Sequence, residues 1–271
     1  MISVVILTKN EAVDIEGAIR SVRFSDDIHV FDSLSTDGTQ QVAERLGAAV
    51  HERPFDNYAA QRNASLMEPA FRYEWILILD ADERPTPELV AEMSAATASA
   101  PADVSAFRLR RNDYLWDTWL KHAQITPFYT RLVRRGRARY VREVNEVLEV
   151  DGRIVELHAP LNHYPFSKGM SHWLAKHNTY STMEARLVVS GAATAQTSLR
   201  AAFFDKDRAA RRAAQKAIFF QLPLRPLLKW IYMMFVRGAV LDGYAGLTYA
   251  TLQSIYEYLI VLKTRELRRS P

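Results

Sequence analysis

The chain has 271 residues, of which 48% are hydrophobic and 24% are charged, the balance of a folded globular protein rather than a disordered one. It contains no cysteine, which excludes disulfides, zinc sites built from cysteine and a thiol nucleophile. The net charge of +4 is uneven, because residues 200–271 hold 13 Lys and Arg against 5 Asp and Glu. The first residues lack the basic region and cleavage site of a signal peptide, so we expect a cytoplasmic protein.

The first 110 residues alternate between strand and helix patterns. In chain order these patterns cover 3–7, 13–22, 28–31, 39–46, 48–50, 58–67, 75–79, 87–98 and 106–109. Such alternation predicts an α/β fold, with a mostly parallel, Rossmann-like sheet that has helices on both faces.

The rest of the chain is first irregular and then helical. Short strands are expected at 128–133 and 147–150, and helices at 167–189, 195–220, 224–240 and 244–265. We therefore expect an α/β domain over 1–165, whose regular alternation ends at about residue 110. A helical C-terminal region, basic and amphipathic, should follow over 166–271.

Ligands of parallel sheets bind beyond the carboxyl ends of the strands. That rule selects the segment 8–11, Asp32, and the pair Asp80 and Asp82 as candidate site residues. For Thr8 or Asn10 alone, capping of the next helix is the simpler interpretation.

Asp80 and Asp82 directly follow the most apolar strand pattern of the chain. Two carboxylates one residue apart repel each other unless a cation lies between them, and Mg²⁺ or Mn²⁺ takes such oxygen ligands together with phosphate oxygens. A solvated acidic turn is the alternative, but the position after a buried strand favours a metal-bound diphosphate. A haloacid-dehalogenase-type phosphatase would need Thr where this chain has Arg84.

Three further side chains each have two interpretations. Arg62 reaches a phosphate or lies on a solvated helix face. Arg131 pairs with a diphosphate or belongs to a solvated basic face. His163 is a third metal ligand, a donor to phosphate, or a packed and hydrogen-bonded residue.

Taken together, these segments resemble family 2 glycosyltransferases of the GT-A fold, and within them the bacterial branch of lipopolysaccharide-core β-glucosyltransferases. The residues that carry the resemblance are Val5-Ile6-Leu7-Thr8-Lys9-Asn10-Glu11, Asp32-Ser33-Leu34-Ser35-Thr36-Asp37-Gly38-Thr39, Ala60-Gln61-Arg62-Asn63, Leu79-Asp80-Ala81-Asp82-Glu83, Arg131-Leu132, Val144-Asn145-Glu146, Pro160-Leu161-Asn162-His163-Tyr164 and Leu241-Asp242-Gly243.

The resemblance implies an inverting hexosyltransferase that uses a nucleoside-diphosphate sugar, a divalent cation (Mn²⁺ or Mg²⁺), and a cell-envelope glycan or glycolipid acceptor. It also implies that 1–165 is the catalytic domain, with a nucleotide-binding half to about 110 and an acceptor half over 111–165. The residues that it implies for the nucleotide sugar are Thr8, Asn10, Glu11, Asp32, Arg62, Asp80, Ala81, Asp82 and Arg131. The metal would be held by Asp80 and Asp82, with His163 as a further candidate. Glu146 would be the general base, although Glu143 competes with it.

The chain departs from the branch at two positions. Leu34 stands where the branch usually has Gly, so a differently shaped loop is expected there. Asn145 stands where the branch usually has His, so a proton-relay role at that position is lost.

The C-terminal part of the chain joins large apolar side chains to scattered cations over 218–262. Charges interrupt every long apolar stretch, so we expect helices that lie on the inner face of the cell membrane rather than span it. Packing on the catalytic domain or on a second subunit of a homodimer is the alternative. Nucleic acid is disfavoured as a partner, because no nucleic-acid-binding motif is present.

Two other functions remain open from the sequence. A nucleotidyltransferase also places metal-binding carboxylates on an α/β sheet, and a membrane-docking scaffold could carry a degenerate nucleotide site.

Overall fold

The computed structural model describes residues 1–124, 128–141, 147–191 and 208–269. The chain divides into two compact units. The sheet unit comprises Met1–Tyr114 and Gln124–Ser167, and the helical unit comprises Leu115–Ala123 and Lys168–Pro271.

Eleven strands lie within the described residues. They are β1 (Ile2–Thr8), β2 (Ile28–Asp32), β3 (Ala49–Glu52), β4 (Trp75–Asp80), β5 (Glu83–Pro85), β6 (Val104–Leu115), β7 (Thr118–Trp119), β8 (Phe128–Arg134), β9 (Ala138–Val141), β10 (Val147–Val150) and β11 (Arg153–His163). The main sheet runs in the order β3-β2-β1-β4-β8-β6-β11-β5, and β9 and β10 form a separate hairpin.

The main sheet is mostly parallel where the nucleotide-binding half was expected. Strands β1, β2, β3 and β4 pair in parallel, as do β6 and β11. Strand β8 lies antiparallel between β4 and β6, and β5 is antiparallel to β11. The predicted fold class is confirmed.

Four helices cover the two faces of this sheet: α1 (Ile15–Ser21), α2 (Thr39–Arg45), α3 (Tyr58–Met67) and α4 (Pro87–Ser99). Side chains alternate along β4, so that Leu77 and Leu79 enter one apolar cluster and Ile76 and Ile78 enter the other. All four are at most 1% exposed, which explains why the pattern at 75–79 is an unbroken apolar run.

The helical unit contains α5 (Gly169–Val189), α6 (Arg208–Gln221), α7 (Arg225–Ile231) and α8 (Gly243–Leu267). The prediction of one helix over 224–240 is wrong. The chain widens into a π-helix at Tyr232–Val236, and Gly238 then breaks the helix with a φ of +79° before a 3-10 turn at Ala239–Asp242. Of the predicted helix 195–220, the first part lies outside the described residues.

No helix within the described residues is both long enough and apolar enough to cross a membrane.

Candidate active site

The carboxyl ends of β1 and β2 place a buried carboxylate beside a hydroxyl. Their register pairs Thr8 with Asp32, and the Thr8 hydroxyl donates to Asp32 Oδ2 at 2.7 Å. Asp32 is fully buried and also accepts from the Ser35 amide and hydroxyl and from Gln40. Burial alone raises the pKa of Asp32, but the bonds from Ser35, Thr8 and Gln40 outweigh it and hold the pKa below its ordinary value. Asp32 is therefore an ionised carboxylate that accepts two hydrogen bonds at each of its oxygens.

The segment after β1 is tied to the loop after β2 rather than to a helix start. Lys9 Nζ donates to the Leu34 carbonyl at 2.8 Å, and Asn10 Oδ1 accepts from the Thr36 amide at 2.8 Å. Helix α1 begins only at Ile15, so the capping interpretation of Thr8 and Asn10 is wrong.

Glu11 contributes its backbone to the same junction. Its amide donates to the Thr39 hydroxyl at 2.8 Å, and its carbonyl accepts from the amides of Asp14 and Ile15. The two loops thus form one hydrogen-bonded rim beyond β1 and β2.

Leu34 keeps the backbone shape that glycine would take in this rim. Its φ is +60°, in the left-handed region that glycine enters without strain, and its side chain is 43% exposed. The departure from the family pattern at Leu34 therefore changes the side chain at the rim but not the course of the loop.

Asp80, at the end of β4, lies between two arginines. Arg62 Nη2 is 3.0 Å from Asp80 Oδ1, and Arg131 Nη2 is 2.8 Å from Asp80 Oδ2. Burial alone raises the pKa of Asp80, but the positive charges of Arg62, Arg131 and His163 outweigh it, so that the pKa lies well below its ordinary value. The side chain remains 33% exposed, which leaves an ionised carboxylate accessible at the sheet edge.

Helix α3 presents three successive polar residues to three different parts of the sheet unit. Gln61 donates to the Ser33 hydroxyl at 2.9 Å, and Asn63 exchanges two hydrogen bonds with the backbone of Tyr140. Between them, the side chain of Arg62 is only 13% exposed and is directed to Asp80. The solvated-face interpretation of Arg62 is wrong.

Arg131 also pairs with a second, wholly buried carboxylate. Arg131 Nη2 donates to Glu83 Oε1 at 2.6 Å, and Glu83 Oε2 accepts from the Asp80 amide at 3.0 Å. Burial alone lowers the pKa of the Arg131 guanidinium, but Glu83 and Asp80 raise it well above its ordinary value. Arg131 is 7% exposed, so it does not belong to a solvated basic face.

The line of charges continues across β6 and β11. Arg111 Nε lies 2.9 Å from Asp113 Oδ1, and His163 Nδ1 lies 2.7 Å from the same oxygen. On its other side, His163 Nε2 is 3.3 Å from Asp82 Oδ2. Burial alone lowers the pKa of His163, but the charge of Asp82 and the hydrogen bonds to Asp113 and Asp82 raise it to about 9. At neutral pH both ring nitrogens therefore carry protons.

The donor set at the sheet edge fits a hard divalent cation through two residues. Asp80 and Asp82 offer carboxylate oxygens that are partly exposed, which is the ligand type of Mg²⁺ and Mn²⁺. His163 lies between Asp82 and Asp113 and would ligate a metal there only as the neutral imidazole. Among the described residues, no group of three or more His, Asp or Glu side chains lies close enough to hold a metal ion.

Two predicted site residues need separate mention. Ala81 is 2% exposed and packs into the apolar core, so its side chain does not face a ligand. Glu146 lies outside the described residues, as do Glu143 and Asn145.

Sequence reasoning gave no role to Glu83, Arg111 or Asp113. Their importance depends on strand register, because β11 places His163 opposite Glu83 of β5 on one side and opposite Asp113 of β6 on the other. The acidic run at 80–83 was the one visible signal for Glu83.

Comparison with known proteins gives a family match over more than half of the chain. The family described as "Glycosyl transferase family 2" matches residues 3–151. A protein of Rickettsia conorii named as an uncharacterized glycosyltransferase is 32% identical over 69% of this chain and 70% of its own length. One from Rickettsia felis is 29% identical over 98% of this chain and 89% of its own.

A more distant relative has a more specific name. The lipopolysaccharide core biosynthesis glycosyltransferase LpsC of Rhizobium meliloti is 23% identical over 97% of this chain and 91% of its own length.

Among solved structures, the glucosyl-3-phosphoglycerate synthase of Mycobacterium tuberculosis, in complex with Mn²⁺, UDP and glucosyl-3-phosphoglycerate, is 23% identical with a TM-score of 0.35. The match covers 42% of this chain and 44% of that one, so the chain spans less than half of the length of that enzyme.

Proposed function

The chain belongs to glycosyltransferase family 2, and we propose that it transfers a sugar from a nucleoside-diphosphate sugar to a hydroxyl of a cell-envelope glycan or glycolipid. The observation that carries this proposal is the edge of the sheet where β2 ends at Asp32 and β4 ends at Asp80, with Asp82 just beyond. Arg62 and Arg131 both pair with Asp80 at this edge. In α/β sheets that edge is where nucleotides bind.

The nucleoside would occupy the rim beyond β1 and β2. Asp32 is held ionised by Thr8, Ser35 and Gln40, so a ribose hydroxyl or base N–H would have to replace one of these donors. The peptide groups of Asn10 and Glu11 lie in the same rim and fix its shape.

The diphosphate would lie at Asp80, Asp82 and the two arginines. Guanidinium groups form bidentate, charge-assisted bonds to phosphate oxygens, and Arg62 and Arg131 already converge on one carboxylate. A divalent cation held by Asp80 and Asp82 would supply Lewis-acid stabilisation of the departing diphosphate. Glu83 would keep Arg131 in place, because it pairs with the guanidinium from the buried side.

The acceptor hydroxyl must lose its proton as it attacks the anomeric carbon. We propose Glu146 as the general base, as the family resemblance implies, with Glu143 as its competitor. Attack from the face opposite the diphosphate would invert the anomeric centre. The name of the relative from Rhizobium meliloti supports a cell-envelope acceptor.

The test is release of nucleoside diphosphate from a panel of nucleotide sugars, with a glycolipid extract of bacterial envelopes as acceptor and Mn²⁺ present. We expect release from one donor. In the Asp82→Asn variant we expect a loss of at least about 100-fold, the size of effect seen when a preorganised charge is removed from a site.

The matched control is Asp103→Asn, which removes an exposed carboxylate that pairs with Arg153 elsewhere in the sheet unit. It should retain full release. If Asp82→Asn and Asp103→Asn behave alike, or if pyrophosphate rather than nucleoside diphosphate is released, the proposal fails.

A further inference from the structure

The helical unit exposes an unusually dense set of large apolar side chains between α6 and the start of α8. We call this set the apolar face. Its members are Leu222, Leu224, Leu227, Leu228, Ile231, Tyr232, Phe235, Val236, Val240, Leu241, Tyr244 and Leu247. Phe235, Val236, Leu241 and Tyr244 are each at least two thirds exposed. Clusters of this kind on a soluble surface mark interaction sites.

The backbone that carries these side chains is held in place by buried contacts. Over 232–246 the residues that point inward are mostly Met or Ala, while Phe, Val, Leu and Tyr point outward. Asp242 fixes the segment, because its carboxylate accepts hydrogen bonds from the amides of His122 and Ala123. Gly246 lets the start of α8 approach Ala239 closely, where a Cβ would lie 2.0 Å from the Ala239 carbonyl oxygen.

The charges of the same segment are positive wherever they reach solvent. Residues 222–247 hold three cations (Arg225, Lys229 and Arg237) and one carboxylate, Asp242, which is 9% exposed and already hydrogen bonded. Arg225 is buried beside Glu257, and Lys229, which lies 4.0 Å from Glu257, and Arg237 are partly exposed. The segment exposes no carboxylate.

Aromatic rings border the apolar face. Trp116, in the turn between β6 and β7, is 53% exposed and stacks on Tyr244 with ring centroids 5.7 Å apart. The turn holds Trp116 and Asp117 at positive φ, and its charges, Asp117 and Lys121, are balanced. Trp and Tyr favour the boundary between hydrocarbon and water, because each ring is apolar with a polar tip.

From these observations we propose that the apolar face docks on a lipid bilayer that contains anionic headgroups. Aliphatic side chains enter the outer acyl region, Trp116 and Tyr244 lie at headgroup depth, and Lys229 and Arg237 face the lipid phosphates. A second copy of the chain fits less well, because symmetric pairing of this segment would bring positive charges against each other without an exposed carboxylate to neutralise them. None of the residues of the apolar face belongs to the proposed donor site.

The test is sedimentation of the full chain with vesicles of phosphatidylcholine and phosphatidylglycerol, without donor or acceptor. We expect binding that weakens as phosphatidylglycerol is removed or as salt is raised. The double variant Phe235→Ser, Leu241→Ser should bind at least about tenfold more weakly, because two exposed apolar side chains no longer enter the bilayer.

The matched control is Val13→Ser, Met67→Ser, which removes two apolar side chains of the sheet unit that are 69% and 80% exposed. It should bind vesicles like the unchanged protein. Equal binding by the two double variants overturns the proposal. So does absence of vesicle binding together with a dimer, seen by sedimentation equilibrium, that Phe235→Ser, Leu241→Ser dissociates.

A second measurement uses the unchanged chain and does not depend on how a variant folds. Vesicles with brominated acyl chains should quench tryptophan emission, and Trp116→Phe should remove part of that quenching. Trp75 and Trp173 are 3% and 4% exposed and should not contribute. Emission that brominated vesicles leave unchanged contradicts docking by this face.

Discussion

The sheet edge and the apolar face depart from ordinary packing in opposite ways. At the sheet edge, charged groups are withdrawn from water: Glu83 is fully buried and Arg131 is 7% exposed. On the apolar face, Leu241 and Phe235 are 71% and 67% exposed. Burying a charge and exposing a large apolar side chain are both unfavourable for folding alone.

The two departures also differ in how they are compensated within the chain. Each buried charge at the sheet edge has a counter-charge, in a line that runs from Arg62 through Asp80, Arg131 and Glu83 to Arg111. The exposed apolar side chains have no such compensation in the segment that carries them. The sheet edge is thus built for precise charge placement, and the apolar face for contact with something outside the chain.

The largest expected effect is a loss of turnover that leaves membrane docking unchanged. Glu146→Gln should lower turnover by about 10²- to 10⁴-fold, because the variant cannot accept the proton of the acceptor hydroxyl. Donor affinity and vesicle binding should be unchanged, as measured by calorimetry and sedimentation. Glu143→Gln is the matched control and should retain turnover within a few fold; the reverse pattern would assign the base to Glu143.

The next effect tests the charge line of the sheet edge. Arg131→Met should lower the free energy of unfolding by about 3–5 kcal/mol, because the buried Glu83 loses its nearest counter-charge, at 2.6 Å, and keeps only the more distant Arg111, at 3.7 Å. Urea denaturation measures the change. Arg139→Met removes an exposed arginine paired with Glu149 and should cost less than about 1 kcal/mol.

A second substitution checks the cause of that loss. Adding Glu83→Gln to Arg131→Met should restore part of the stability, because the uncompensated charge is removed. A double variant that is less stable than Arg131→Met would contradict the assignment of Glu83 as the dependent charge.

One substitution made in both regions compares them directly. Leu77→Ala, in the core of β4, should cost about 2–5 kcal/mol of unfolding free energy, because it leaves a cavity. Leu241→Ala, on the apolar face, should change that free energy by less than about 0.5 kcal/mol. A large cost at Leu241 would mean that this side chain packs within the folded chain, and the docking proposal would lose its basis.

The smallest effect is a pH dependence at the nucleoside rim. The folded pKa of Asp32 is lowered, so its contribution to stability is present above about pH 4, the unfolded value, and is lost as pH falls toward the folded pKa. Asp32→Asn should therefore flatten the fall of stability in acid. The carboxyl of Asp103 is exposed and has its pKa lowered by Arg153, so Asp103→Asn should change the fall of stability in acid only at low salt.

Patterns local in sequence predicted the architecture well. The apolar run before Asp80 predicted both β4 and its burial, and helices α3 and α4 lie where the sequence pattern predicted helices. Asn57 caps α3 and Thr86 caps α4 through side-chain oxygens that accept amide hydrogen bonds.

Patterns that depend on distant contacts were harder to predict. The alternative interpretations of Arg62 and Arg131 could not be decided without the register that brings both to Asp80. The break after Ile231 gave no strong signal either, because helix-forming residues continue through a π-helix until Gly238. The assignment of Glu146 as the general base remains a prediction from the family resemblance.

The central claim is that the edge carrying Asp80 and Asp82 binds a metal-bound nucleoside-diphosphate sugar, and a thermal-shift screen tests it most directly. Binding raises the unfolding temperature by an amount that grows with the logarithm of the ratio of ligand concentration to Kd. We predict that one nucleotide sugar stabilises the chain with Mn²⁺, less with EDTA, and, in Asp82→Asn, to the same small extent with or without Mn²⁺. No shift with any donor in the presence of Mn²⁺, or an equal shift in Asp82→Asn, would contradict the claim.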